Sequence, residues 1–139
     1  MAGAMIKGLI TASFIEAKNI LVVDVIQSRL DELHSEYKVR VTKDSREVVS
    51  KSDVVILAVK PQLMQKVLEG IADLKIDKKL FISVAAGFPI STMEHILNHG
   101  GSREPCIIRT MPNTPALVQE GVTAISAGSE VTKADLKIA

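Results

Sequence analysis

Asp24 closes the apolar run Ile20-Leu-Val-Val-Asp24. A carboxylate at the tip of a buried strand can accept hydrogen bonds from both hydroxyls of an adenosine ribose, and it would repel a 2′-phosphate, which favours NAD over NADP. Arg29 and Lys43 are near enough in sequence to offer a phosphate a counter-charge, so the two cofactors stay open; a solvated strand-end Asp would look the same. In Leu57-Ala-Val-Lys-Pro61, the residues Ala58, Val59, Lys60 and Pro61 lead an apolar strand straight into a helix start. The first amides of a helix have no internal partner, so such a junction suits an anionic or amide-bearing ligand. Ser83-Val-Ala-Ala-Gly87 repeats the arrangement, and the lack of side-chain bulk at Ala85, Ala86 and Gly87 lets a flat ring approach the backbone or lets other elements pack tightly. In Arg109-Thr-Met-Pro-Asn-Thr-Pro115, Pro112 and Pro115 flank Asn113 and Thr114 and fix two φ angles. A rigid polar loop at a strand end commonly lines a site, though a purely structural turn has the same composition.

Other chemistries find less support. His95 and His99 stand at i, i+4 on one expected helix, but no Glu follows the first of them and no further ligand is evident, so no metal site is assigned. No Gly-x-Ser-x-Gly elbow presents a serine for attack, and no catalytic nucleophile is assigned.

Short β-branched runs alternating with helical patterns are what position these residues, and that alternation predicts βαβ units around a parallel sheet covered on both faces. The expected strands are Ile20–Val23, Val39–Thr42, Val54–Val59, Leu80–Val84, Cys106–Thr110 and Val122–Ser126. Helices are expected over Ala2–Ala12 and from Gln27, where Leu30, Leu33 and Tyr37 share a face. Ser45 is expected to cap the next helix, Pro61 to open another, and Ser91 to cap a last one ending at His99 before Gly100 and Gly101. The fold class is α/β, a Rossmann-like sheet with helices on both faces, read as one domain over residues 1–139.

Composition excludes several functions. The 17 basic and 16 acidic residues are interspersed, leaving no single-sign field to attract nucleic acid or anionic lipid. The longest apolar runs fall far short of the roughly 20 residues that cross a bilayer, and the chain reads as soluble and cytoplasmic. Cys106, the single cysteine, lies in an apolar run and is expected to be a buried, inert thiol.

Taken in order and spacing, Ala-Met-Ile-Lys-Gly-Leu-Ile at Ala4–Ile10, Ala-Val-Lys-Pro at Ala58–Pro61, Ala-Ala-Gly at Ala85–Gly87, Met-Pro-Asn-Thr-Pro-Ala at Met111–Ala116 and Glu-Gly-Val-Thr-Ala at Glu120–Ala124 resemble pyrroline-5-carboxylate reductase. The resemblance implies reduction of the cyclic imine 1-pyrroline-5-carboxylate to proline with NADPH or NADH, by a homo-oligomeric enzyme. It implies that Asp24, Val25 and Ile26 lie by the adenosine ribose, Ser45 by the adenine, Ala58–Pro61 along the cofactor and Ala85–Gly87 beside the nicotinamide. Met111, Pro112, Asn113 and Thr114 would then floor the substrate. It also implies a first strand with a glycine-rich phosphate loop before Met1 and a helical domain after the chain, so that the sheet here lacks a central strand. Another two-domain NAD(P)-dependent dehydrogenase, or a non-catalytic nucleotide- or partner-binding chain, would carry some of the same features.

Overall fold

The computed structural model describes residues 2–77, 79–98, 105–113 and 121–139. They form two compact units, residues 1–48 and 49–139, taken in turn.

In the first unit, helix α1 (Ala2–Thr11) leads through a 3-10 turn at Ala17–Asn19 into strand β1 (Leu21–Val23), helix α2 (Gln27–Tyr37) and strand β2 (Arg40–Thr42). The β1 and β2 strands pair in parallel, Leu21 opposite Arg40 and Val23 opposite Thr42. The apolar stripe anticipated on α2 is turned inward: Leu33 is buried with Ile6 of α1 and Val39, while Tyr37, Val22 and Val41 pack around them. Helix α2 ends on Lys38, whose φ of 59° lies in the left-handed region and whose amide donates to the His34 carbonyl. Helix α3 (Ser45–Lys51) follows, and its cap differs from expectation. Asp44 Oδ1 accepts from the Arg46 amide at 2.9 Å, so Asp44 caps and Ser45 is the first helical residue. Both side chains are competent caps; Asp44 holds the position because Thr42 Oγ1 accepts from its amide at 3.2 Å and fixes it there.

The second unit is a four-stranded sheet in the order β3 (Val54–Leu57), β4 (Leu80–Ser83), β5 (Cys106–Pro112), β6 (Thr123–Ala127), with helices α4 (Pro61–Glu69), α5 (Ile90–Leu97) and α6 (Lys133–Ile138). Strands β3, β4 and β5 are parallel, Leu57 opposite Ser83 and Ser83 opposite Arg109. Strand β4 is central and buried along its whole length. Phe81 and Ile107 project from β4 and β5 onto Met64, Leu68, Met93 and Leu97 of α4 and α5, and Leu80, Ile82 and Ile108 form a smaller cluster with Val54, Cys106 and Val131. Alternation along each strand sends neighbouring residues to these separate clusters, as a sheet apolar on both faces requires.

Several boundaries shift from expectation. Strand β6 runs antiparallel to β5, with Thr110 opposite Ile125, because the connection after Asn113 is too short for the crossover that a parallel strand needs. Strand β3 stops at Leu57, so Ala58 and Val59 belong to the turn, and β5 runs on to Met111 and Pro112. Helix α5 is capped at Pro89 and begins at Ile90; Ser91 lies inside it and caps nothing. His99, Gly100 and Thr114 lie outside the described residues, and so do Pro115 and Ala116.

The thiol of Cys106 is half-buried, not buried as expected, and it donates to Asp135 Oδ2 across 3.5 Å. The same carboxylate closes a capping box with Thr132 at the start of α6. Hydrogen bonds from the Thr132 hydroxyl and amide, with Cys106 adding less, hold Asp135 below the usual carboxylate range. No helix among the described residues is long and apolar enough to cross a membrane.

Candidate functional site

Each unit presents the carboxyl edge of its parallel strands, the edge at which open α/β sheets take ligands. In the first unit, Asp24 directly follows β1 and is half-buried. Its Oδ1 accepts from the Ile26 amide at 3.0 Å, folding 24–26 into a turn that fixes the carboxylate at the strand tip. Val25 and Ile26 follow at 86% and 57% exposure, large aliphatic side chains left in solvent beside the charge. At the neighbouring tip, Thr42 Oγ1 donates to Glu47 Oε2 at 2.5 Å, and Lys43 is exposed. Asp24 and Ser45, separated by 21 residues of sequence, thus follow adjacent strands of one sheet.

In the second unit, parallel register sets Leu57, Ser83 and Arg109 side by side; β3 and β4 end there, β5 runs on to Pro112, and each is followed by one of the stretches singled out above. After β3, Ala58 and Val59 are half-buried and Lys60, the helix N-cap in extended conformation, hands over to Pro61 at the first position of α4. Lys60 offers no side-chain cap, so the role of Pro61 is the expected one of opening a helix where no N–H is needed.

After β4, Ser83 is fully buried and its Oγ accepts from the Ala85 amide at 3.3 Å, while the Val84 amide donates to the Leu57 carbonyl at 3.2 Å. Ala85 is buried, whereas Ala86 and Gly87 are exposed. Gly87 has φ of +70°, and nothing among the described residues stands within 4 Å of where a Cβ would be. Backbone conformation rather than crowding therefore requires glycine here. Gly87→Ala should lower stability by about 1 kcal/mol through strain alone, read as a shifted denaturation midpoint of the full-length protein; a stability gain would show that the left-handed conformation is not held.

After β5, the exposed side chain of Asn113 does what the sequence did not reveal. Its Oδ1 accepts from the Val122 amide at 3.1 Å, and its own amide donates to the Val122 carbonyl at 3.2 Å, so Asn113 closes the β5–β6 hairpin. Thr110 is buried and its hydroxyl donates to the Ser83 carbonyl at 3.5 Å, tying β5 to the last residue of β4. Ser83, Thr110 and Val122 were not among the expected site residues; a small hydroxyl in the middle of an apolar strand was the available signal for the first two. Among the described residues no group of three or more His, Cys, Asp and Glu is placed to hold a metal ion, and His95 is exposed.

Residues 1–87 match the family model described as NADP oxidoreductase coenzyme F420-dependent. The chain belongs to that family. The chain is 38% identical over all its 139 residues to pyrroline-5-carboxylate reductase of Methanosarcina acetivorans, covering 50% of that protein. It is also similar to the solved pyrroline-5-carboxylate reductase of Coxiella burnetii, with a TM-score of 0.90 and 33% identity over 99% of this chain and 49% of the other. The Plasmodium falciparum pyrroline carboxylate reductase, solved with NADP bound, superposes with a TM-score of 0.80 at 27% identity, over 97% and 47% of the two chains. This family member thus spans about half the length of the curated relatives it matches, and the Rossmann-like fold read from its sequence is the fold it has.

Proposed function

We propose that the protein is a pyrroline-5-carboxylate reductase and that this chain supplies its dinucleotide-binding part. The observation that carries the proposal is the adjacency of three stretches: Ala58–Pro61, Ala85–Gly87 and Met111–Asn113 lie just beyond Leu57, Ser83 and Arg109, which stand in register on neighbouring parallel strands of one sheet. Sequence and fold similarity to such reductases over essentially the whole chain supports it.

The residues present suit a nicotinamide dinucleotide. The Asp24 carboxylate, pinned through one oxygen, can accept from ribose hydroxyls, with Val25 and Ile26 as apolar neighbours for an adenine. Ser45, on the adjoining strand end, belongs to the same adenosine side. Among the described residues nothing crowds the position of a Cβ on Gly87, which suits the approach of a flat ring. When bound, a reduced nicotinamide supplies a hydride to the imine carbon; the C=N electron pair passes to the nitrogen, which holds a proton from solution. No protein nucleophile is needed for that exchange, and the rate comes from positioning. In this scheme Met111, Pro112 and Thr114 floor the substrate, and Asn113 holds that floor in place through the hairpin. The enzyme would work in the cytoplasm, as its single cysteine favours, and as a homo-oligomer, which rests on the resemblance alone.

The test is the full-length protein with 1-pyrroline-5-carboxylate and NADH or NADPH. Loss of reduced-nicotinamide absorbance that requires the imine and yields proline is expected. Cofactor binding with no oxidation on adding the imine would assign the substrate wrongly.

A further inference from the structure

Resting on the reductase reading, we infer that Ser83 and Thr110 are positioning residues for hydride transfer: their buried hydroxyls together set the separation between the turn that faces the nicotinamide and the loop that floors the substrate. Neither side chain reaches a ligand, since Ser83 has no exposed surface and Thr110 is 6% exposed. Each acts through the backbone. Ser83 Oγ accepts from the Ala85 amide at 3.3 Å and so bends the chain just ahead of the exposed residues Ala86 and Gly87. Thr110 Oγ1 donates to the Ser83 carbonyl at 3.5 Å, and Met111 and Pro112 follow it on the same strand. Ser83 is thus held from two sides, by its own turn through Oγ and by β5 through its carbonyl.

Parallel pairing of β4 with β5 extends to Ser83 opposite Arg109. Past that level the strands part: β4 gives way to the Ala85–Gly87 turn, while β5 goes on through Met111 and Pro112 in antiparallel pairing with β6. The Thr110–Ser83 bond stands at this fork, and with Asn113 bound to Val122 it fixes the floor from both neighbouring strands. Stability does not account for hydroxyls here. A buried hydroxyl costs free energy that only a good hydrogen bond offsets, and bonds of 3.3 and 3.5 Å are long for hydroxyl groups, so apolar side chains of the same size would hold the sheet as well. What they would lose is the fixed spacing. Hydride transfer needs donor and acceptor carbons held at about 3–3.5 Å, and a floor free to drift from the turn reaches that distance less often.

Full-length wild type is compared with Thr110→Val, which keeps the volume and removes the hydroxyl, with Ser83→Ala, and with Thr110→Ser, which keeps the hydroxyl. Each protein, loaded with NADH or NADPH, is mixed rapidly with saturating 1-pyrroline-5-carboxylate, and the single turnover is followed by nicotinamide absorbance; cofactor affinity is read separately by fluorescence. Thr110→Val and Ser83→Ala are each expected to lower the single-turnover rate constant about five- to tenfold at full amplitude, with cofactor affinity within about twofold of wild type, and Thr110→Ser to recover most of the rate. A merely structural role would instead reduce the amplitude, as part of the protein unfolds, and leave the rate constant of the remainder unchanged. That outcome overturns the inference, as does an unchanged rate in either hydroxyl-deleting variant, a loss matched by weaker cofactor binding, or a Thr110→Ser rate as low as that of Thr110→Val; the reductase reading survives all of these. A wild type that binds cofactor and does not oxidise it with the imine overturns both.

Discussion

Phe81→Ala is expected to destabilise the second unit by about 3–5 kcal/mol, enough to consume most of the net stability of a typical domain. Phe81 has no exposed surface, sits on the strand flanked by β3 and β5, and is among the largest side chains in the cluster that α4 and α5 cover. Truncation there removes the ring's burial and leaves a cavity that Met64, Met93 and Ile107, each held by its own element, can only partly fill. The measurement is the denaturant midpoint of the full-length protein, with hydrogen exchange on β4 to locate the loss. A change below about 1 kcal/mol would mean that the core is not centred on this strand.

Asn113→Ala is expected to lower turnover of the full-length enzyme by about 10- to 100-fold while leaving cofactor affinity nearly unchanged. The lost acceptor leaves the Val122 amide to water, a small cost at an exposed position, but the hairpin it closes carries the loop expected to floor the substrate. Misplacing a reacting group by an ångström is what costs rate. Asn113→Asp retains an oxygen for that amide and should recover much of the loss, which an amide acting on substrate directly would not show. Turnover unchanged in Asn113→Ala would remove the positioning role.

What was legible from sequence was whatever burial writes into periodicity. Val54–Leu57 and Leu80–Ile82 are uninterrupted apolar runs, the second buried on both faces and the first with Ile56 left exposed, so strand existence and parallel order could be read directly. Pro61 could be read because a missing N–H has one good place in a helix start.

The errors lie where two residues could satisfy the same need. Asp44 and Ser45 are both competent caps, and the choice was made by Thr42, which no local rule consults. Ser91 is a competent cap by type, yet it lies inside a helix that Pro89 had already started. Strand β6 was placed within a residue or so, yet its direction depended on the length of the connection, not on its own residues.

The candidate site divides in the same way. Asp24 and the small-residue turns were visible as residue types. The fixing of Asp24 by Ile26, the commitment of Arg29 to Glu32 and the closure of the hairpin by Asn113 are bonds made by geometry. Of these only the Arg29–Glu32 pair, at i, i+3 on a helix, had a spacing that could have announced it.

That the carboxyl edges of these strands hold a redox dinucleotide is tested most directly by amide hydrogen exchange of the full-length protein with and without saturating NADH. Slowed exchange is expected at 24–26, 58–61 and 85–87 together, with the outer surfaces of α4 and α5 unaffected. Saturable binding that leaves all three stretches unchanged and protects other surfaces would contradict it.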